Sequence, residues 1–359
     1  MAHGSPKCHP SLLHNSTYMD HLKLLKELIA IPGPPGQEKL VRETLASHLD
    51  KIGLKHETDA KGNLLVNLGN SDRPKIVVTA HMDEIAMIVR RIEPDARLSV
   101  GPLGGLFPWK IGEGPVHVLT AEGALDGILS FGSIHTLDPA STVRKADSIS
   151  VDWDMVSVIT GLSSKELTAK GVRPGTRVVV HPSRRDLSHI GPLVAGFFLD
   201  DRADLVSWLL ALKQLKGTKA SVLFAATTSE EVGGEGAKYI LQRLRPDVCI
   251  ALELGPAVED APVALSDQPT VWATDSYASM SSEDGELLET LGKELGMKLQ
   301  FQALSRGGSD ASSAAAQGLC ARPITLGLAM ANTHGFEIMH PNAMEELARL
   351  TVALVQRIG

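Results

Sequence analysis

Cysteine is scarce: the 359 residues hold only Cys8, Cys249 and Cys320, at spacings that form neither a CxxC pair nor a disulfide ladder. That excludes a disulfide-stapled scaffold and points to a reducing compartment, the cytoplasm. No apolar run reaches about 18 residues, the length needed to span a bilayer. The first twenty residues carry His3, Lys7, His9, His14 and Asp20, which is not the pattern of a secretion signal. Positive charge is also short: 35 basic against 42 acidic side chains leave a net charge of -7, too acidic a surface for binding nucleic acid. HExxH and GxSxG are absent, which removes the commonest single-zinc protease and serine-hydrolase readings. Gly233-Gly234-Glu235-Gly236 has neither a Walker lysine nor the GxGxxG pattern, so it reads as a helix-entry turn and not a phosphate loop. There is no internal repeat and no low-complexity tract.

What is present is a globular composition, 43% hydrophobic and 21% charged, in a chain long enough for about two domains. Residues 1–15 read as a flexible tail. Leu22, Leu24, Leu25, Leu28 and Ile29 mark a helix ending at Ile31-Pro32-Gly33-Pro34-Pro35, and a second helix is expected from Gln37 to about Ile52. Lys75–Ala80 is short, β-branched and apolar on both sides, as a strand between two helical layers should be. Over 86–189 short β-type runs alternate with Gly and Pro, which predicts an inserted β-rich domain. Afterwards helix and strand alternate: Ala203–Leu215, Ser221–Ala226, Gly236–Leu244, Val248–Leu252, then Pro323–Leu328 among helices at Gly285–Leu295, Asp310–Gln317 and Asn342–Ile358. This alternation predicts an α/β fold, a mostly parallel mixed sheet sandwiched by helices, with 16–85 and 190–359 forming one domain around the insert.

Ligands in open α/β sheets bind beyond the carboxyl ends of the strands. In this sequence those ends carry one kind of chemistry. His81-Met82-Asp83-Glu84 follows the strand ending at Ala80, Asp200-Asp201 precedes the helix at Ala203, and Glu230-Glu231 follows Ala226. Glu253 lies in the apolar run Ile250–Leu254, and His334 in the loop after Leu328. Imidazole and carboxylate donors of this kind suit a pair of divalent metals, with one carboxylate able to bridge. Of the adjacent Glu230 and Glu231, one can bind metal while the other stays free as a general base. Asp83 stands where it can accept the second ring N–H of His81 and orient it. Taken singly, H-x-D is an ordinary strand-end cluster, Glu-Glu a solvated face and Asp200-Asp201 a helix cap. Their joint placement at consecutive strand ends favours the metal reading, and Glu253 adds a charge that is costly to bury unpaired. Asp310, after Arg306-Gly307-Gly308-Ser309, reads as an N-cap or a substrate-side carboxylate; His135 and His340 show no partner pattern.

HMDE (81–84), LDDR (199–202), SEEVGGEGA (229–237), ALE (251–253), GGSDA (307–311) and THG (333–335) occur in an order that resembles the co-catalytic metallo-aminopeptidases of the glutamyl aminopeptidase and tetrahedral aminopeptidase family, once also labelled endoglucanase M. The resemblance runs from about residue 18 and includes the insert, where Gly123–His135 and Gly171–Leu199 look like that family's β-barrel dimerisation domain. It implies a zinc-exopeptidase-like fold and two divalent ions per subunit, zinc or cobalt first and manganese third. Asp200 would bridge, His81 and Glu253 would complete one ion's shell, and Glu231 with His334 the other's. Glu230 would be the general base, Asp83 the orienter of His81, and Asp201 the residue joined to Asp200 by a cis peptide. Three departures stand out: Glu253 where the family usually has aspartate, Asn332-Thr333-His334-Gly335-Phe336-Glu337 where it has YxHSPxE, and Ser229-Glu230-Glu231 where QEE is common.

The expected activity is therefore removal of N-terminal residues from short peptides by a metal-dependent aminopeptidase, acting as a homo-oligomer from dimer up to dodecamer. Two other classes stay open on sequence. A glycosidase would work without metal on two carboxyl groups. A catalytically inactive relative would bind metal or peptide without turnover.

Overall fold

The structure is a computed structural model and describes residues 14–69, 71 and 73–359. The expected tail lies outside the described residues except for His14 and Asn15, which open the first helix, His14–Ala30. Among the described residues an eleven-stranded sheet forms the body of the molecule. Its centre is four parallel strands in the order Val222–Thr227, Ile76–His81, Val248–Pro256, Arg322–Ala331. The strands on either side of this centre join antiparallel: Leu64–Asn67 on one side, and Phe336–Met339 followed by Leu193–Phe197 on the other. Thr270–Thr274 also pairs antiparallel with Arg322–Ala331 and carries Gln300–Ala303 in parallel beyond it.

The central strands bury both faces, so their side chains divide by period two between two helical layers. Ile76, Val78, Val222, Phe224, Ile250 and Leu252 face one core, with the helices His14–Ala30, Lys39–Lys51, Leu199–Leu215, Ser282–Leu295 and Ala343–Ile358. Val77, Leu223, Ala225, Cys249 and Ala251 face the other, against Glu235–Leu244 and Asp310–Ala315. The helix-bearing sandwich is thus covered on both sides, as the apolar runs required.

Between the Ile76–His81 strand and the Leu193–Phe197 strand the chain builds a closed six-stranded barrel. Its order is Ala86–Ile92, Leu98–Leu103, Ser157–Ile159, Gly123–Ser130, Gly114–Thr120, Arg177–Val180 and back to the first. Met87, Val89, Val100, Val116, Val118, Val158, Val178 and Val180 fill its interior, joined at one end by Phe197 and Phe198. Closure removes the sheet edges that an isolated insert of short strands would expose. No helix among the described residues is long and apolar enough to cross a membrane.

Candidate active site

The carboxyl ends of the parallel strands converge on one cavity of about 640 Å³, lined by His81, Asp200, Glu230, Glu231, Glu253 and His334 among others. His81 closes its strand, Glu230 and Glu231 follow Thr227, Glu253 sits inside the long strand Val248–Pro256, and His334 follows Ala331. Asp200 arrives differently, from the antiparallel side, where Leu193–Phe197 turns through Phe198 into the long helix. The backbone at Asp200 and Asp201 is not helical and their peptide bond is cis. Phe198, Ser229, Asn332 and His334 all take positive φ. Non-glycine residues enter that region at a cost and tend to do so where a side chain must be aimed. Each of the four lies in a loop that delivers a polar group to this cavity.

Asp200 is central. Its Oδ1 is 3.2 Å from His81 Nε2 and its Oδ2 is 3.5 Å from His334 Nε2. On the first side Glu253 Oε2 stands 4.0 Å from His81 Nε2, and on the second Glu231 Oε2 stands 3.9 Å from His334 Nε2. Two groups with donor atoms close enough to hold a cation result, one of His81, Asp200, Asp201 and Glu253, the other of Asp200, Glu231 and His334. Asp200 belongs to both.

The ring tautomers agree with this orientation. His334 Nδ1 is 2.6 Å from the carbonyl oxygen of Gly105, so that nitrogen carries the proton, and in the neutral ring Nε2 turns its lone pair inward. Gly105 comes from the barrel segment, so the insert also helps to shape the site. His81 Nδ1 is 3.1 Å from the main-chain carbonyl of Asp83 and 3.6 Å from its carboxylate. The Asp83 carboxylate accepts the backbone N–H groups of Glu230 (2.9 Å) and Glu231 (3.1 Å). It therefore ties the His81 loop to the Glu230 loop.

Six carboxyl groups, those of Asp83, Asp200, Asp201, Glu230, Glu231 and Glu253, surround two imidazoles. The nearby cation Arg202 is turned away, bonded to Glu84 and the Met82 carbonyl. Burial pushes the carboxyls of Glu230 and Glu253 well above their ordinary range. Burial also raises Glu231 to about 7, with the Asp200 charge adding to it against the pull of His334. Burial works against a charged His334, but Glu231 and Asp200 outweigh it and lift the imidazole to about 9. For Asp200 the His81 hydrogen bond overrides burial and holds the carboxyl below its usual value. Such a crowd of anionic donors is the environment that bound cations stabilise.

Sequence reasoning missed several members. Glu337, in Phe336–Met339, accepts the N–H of Asp200 (3.0 Å) and that of His334 (2.9 Å), holding both backbones at once. Buried Glu38 accepts N–H bonds from Gly36 (2.8 Å) and Ser229 (3.1 Å) and so braces the Glu230 loop. Asp204, fully buried one helical turn on, is raised by burial to about 7. Asp310 is not the cap of its helix: Ser309 is, accepting from the Ser312 N–H. Asp310 instead takes the Thr227 hydroxyl at 2.6 Å. His135 and His340 belong to neither donor group, and His3, Cys8 and His9 lie outside the described residues.

A parallel-centred sheet between helices, an inserted barrel and an acidic donor cluster at the strand ends define a zinc-exopeptidase-like peptidase fold. The chain belongs to the M42 glutamyl aminopeptidase family, whose family model matches residues 62–350, and is thereby a peptide hydrolase. It is 31% identical to the lysyl aminopeptidase of Pyrococcus furiosus over 234 residues, 65% of this chain and 66% of that protein. Among solved structures it is similar to the TET1 peptidase of Pyrococcus horikoshii, described as able to assemble into a tetrahedron or a large octahedral shell. The identity is 27%, the TM-score 0.82, and the match covers 93% of this chain and 99% of that one. It is also similar to an aminopeptidase of the archaeon Desulfurococcus kamchatkensis, at 25% identity and TM-score 0.83 over 95% of each chain.

Proposed function

We propose that this chain is an aminopeptidase of the two-metal kind, with His81, Asp200 and Glu253 holding one divalent ion and Asp200, Glu231 and His334 the other. The observation that carries the reading is the split carboxylate of Asp200, one oxygen toward each imidazole. The donor set fits: neutral imidazole nitrogens and carboxylate oxygens suit zinc or cobalt, with manganese as the third candidate. When bound, the ions supply Lewis acidity, lowering the pKa of water and polarising the scissile carbonyl.

The protein's own groups do the rest. Glu230 lines the cavity without belonging to either donor group, so its carboxylate is free to take a proton from the attacking water and return it to the leaving amine. Asp83 positions that residue through its backbone N–H and keeps the neighbouring Glu231 in register. Glu337 does the same for Asp200 and His334. The acidic surroundings also suit the free α-ammonium of a peptide, which is why trimming from the N-terminus is favoured over internal cleavage.

The unit 16–85 plus 190–359 is assigned the chemistry and 86–189 the role of a dimerisation domain, with short peptides as substrates and a homo-oligomer from dimer up to dodecamer as the working form. The assembly described for the TET1 relative supports that reading, and buried, unpaired Cys249 and Cys320 suit the cytoplasm. The test is Glu230→Gln. Turnover of aminoacyl-anilides should fall by about 10²–10⁴-fold while metal content stays near wild type. Unchanged turnover contradicts the assigned role.

A further inference from the structure

A third cluster of donors lies away from the cavity, on the outer face of the barrel. Strand Gly114–Thr120 turns Val116 and Val118 inward and so puts His117 outside. Its antiparallel partner sets Asp126 directly opposite. His181 follows Val180, the last inward residue of Arg177–Val180, and its backbone N–H donates to the Pro115 carbonyl at 3.2 Å. The two strands of one hairpin and a segment from the far end of the barrel sequence thus present one donor each on the same face.

Their geometry is that of a ligand set. Asp126 Oδ1 is 3.2 Å from His117 Nε2 and 3.4 Å from His181 Nε2, and the two rings meet edge to face with centroids 4.3 Å apart. All three donor atoms lie within 4.8 Å of one another. Tetrahedral zinc with bonds of about 2.0–2.1 Å places its ligand atoms about 3.3 Å apart, close to both spacings to Asp126. The imidazoles are partly shielded while Asp126 is 87% exposed, which leaves a coordination position open to solvent. With Nε2 as the ligand, the His181 ring proton moves to Nδ1, where Ser183 Oγ at 2.8 Å can accept it. The Ser183 amide that donates to Nδ1 at 3.1 Å must then give up that bond. Arg185, whose positive charge acts on His117, is held by the Glu84 carboxylate.

We propose that His117, Asp126 and His181 form a zinc(II) site of their own, clipping three segments of the barrel wall together, independent of the cluster around Asp200. Two neutral imidazoles and one carboxylate are the donors zinc selects, with water as the fourth ligand. Bound zinc would pin the chain between the barrel's last strand and the return to the main sheet.

The test is zinc content of the full chain after loading and dialysis. Asp126→Ala and His117→Gln should each bind one ion per chain fewer than wild type, with the far-ultraviolet spectrum and the peptidase activity unchanged. The chain carrying His81→Ala and His334→Ala should keep an ion that Asp126→Ala then removes, so failure here is distinct from failure of the two-metal reading. Zinc content as high as wild type in either single variant, or no zinc in the His81→Ala/His334→Ala chain, overturns the proposal.

Discussion

At the scale of single residues, the site is held as much by groups that accept backbone N–H bonds as by the donors themselves. Glu337 reaches both Asp200 and His334 through their amides, so it sets the distance between the shared carboxylate and the more exposed imidazole. Groups that orient metal ligands are commonly worth 10–100-fold in metal affinity. Glu337→Gln should therefore weaken metal binding by about that factor, read by calorimetric titration of the metal-free chain, with little change in overall stability. Affinity equal to wild type would mean that Glu337 serves the fold and not the site. His81, Asp83, Glu230 and Glu231 stand out in the sequence because polar residues there follow apolar strand runs, Asp200 because it opens a helix, His334 because it lies in the loop after a strand, and Glu253 because it interrupts one. Glu337 and Glu38 do not. Asp200 and Ser229, which they brace, are 137 and 191 residues away, too far for a local pattern to pair them.

Among the elements, the joint between barrel and sheet is an ion cluster without water access. Glu84, directly after the His81 loop, binds Arg185 at the barrel's exit and Arg202 at the start of the long helix, all three fully buried or nearly so. Arg185 also donates to the Ile29 carbonyl, at the end of the first helix (3.1 Å), and stacks its guanidinium 4.3 Å from the Phe198 ring. Removing one member of a buried cluster leaves uncompensated charge, which costs about 3–5 kcal/mol. Glu84→Ala should lower the stability measured by denaturant unfolding by about that amount; a loss under about 1 kcal/mol would be that of a surface pair. The four parallel strands were readable from runs apolar on both faces. Thr270–Thr274, Gln300–Ala303 and Ser188–Ile190 were not, because strands of three to five residues at the sheet's margin carry too little periodicity. The insert is legible as β-rich, but its closure depends on the pairing of Ala86–Ile92 with Arg177–Val180, a contact no local pattern encodes.

For the molecule as a whole, the buried acids make stability depend on pH when no cation is bound. Asp204 and Glu231 titrate at about 7 and Asp310 at about 6, all raised first by burial. A carboxyl raised on folding contributes stability at low pH and loses it as pH rises through the folded value. His334, raised to about 9 by Glu231 and Asp200 against the effect of burial, acts in the same direction between about 6.5 and 9. His117, lowered by burial and by His181, opposes them, but the raised groups outnumber it, Glu230 and Glu253 among them. The metal-free chain should therefore unfold at lower denaturant concentration near pH 8 than near pH 5, by the linkage rule. Zinc or cobalt should restore the loss at the higher pH. A midpoint that rises across this range without metal would contradict the charge arrangement described for the cavity.

Everything chemical in this reading passes through Asp200. The most direct measurement is anomalous diffraction from crystals of the full chain soaked in zinc. Two peaks roughly 3.5–4 Å apart are expected on either side of the Asp200 carboxylate, one against His81 and Glu253 and the other against Glu231 and His334. Fewer than two peaks beside the Asp200 carboxylate, whatever is bound at His117 and His181, would contradict it.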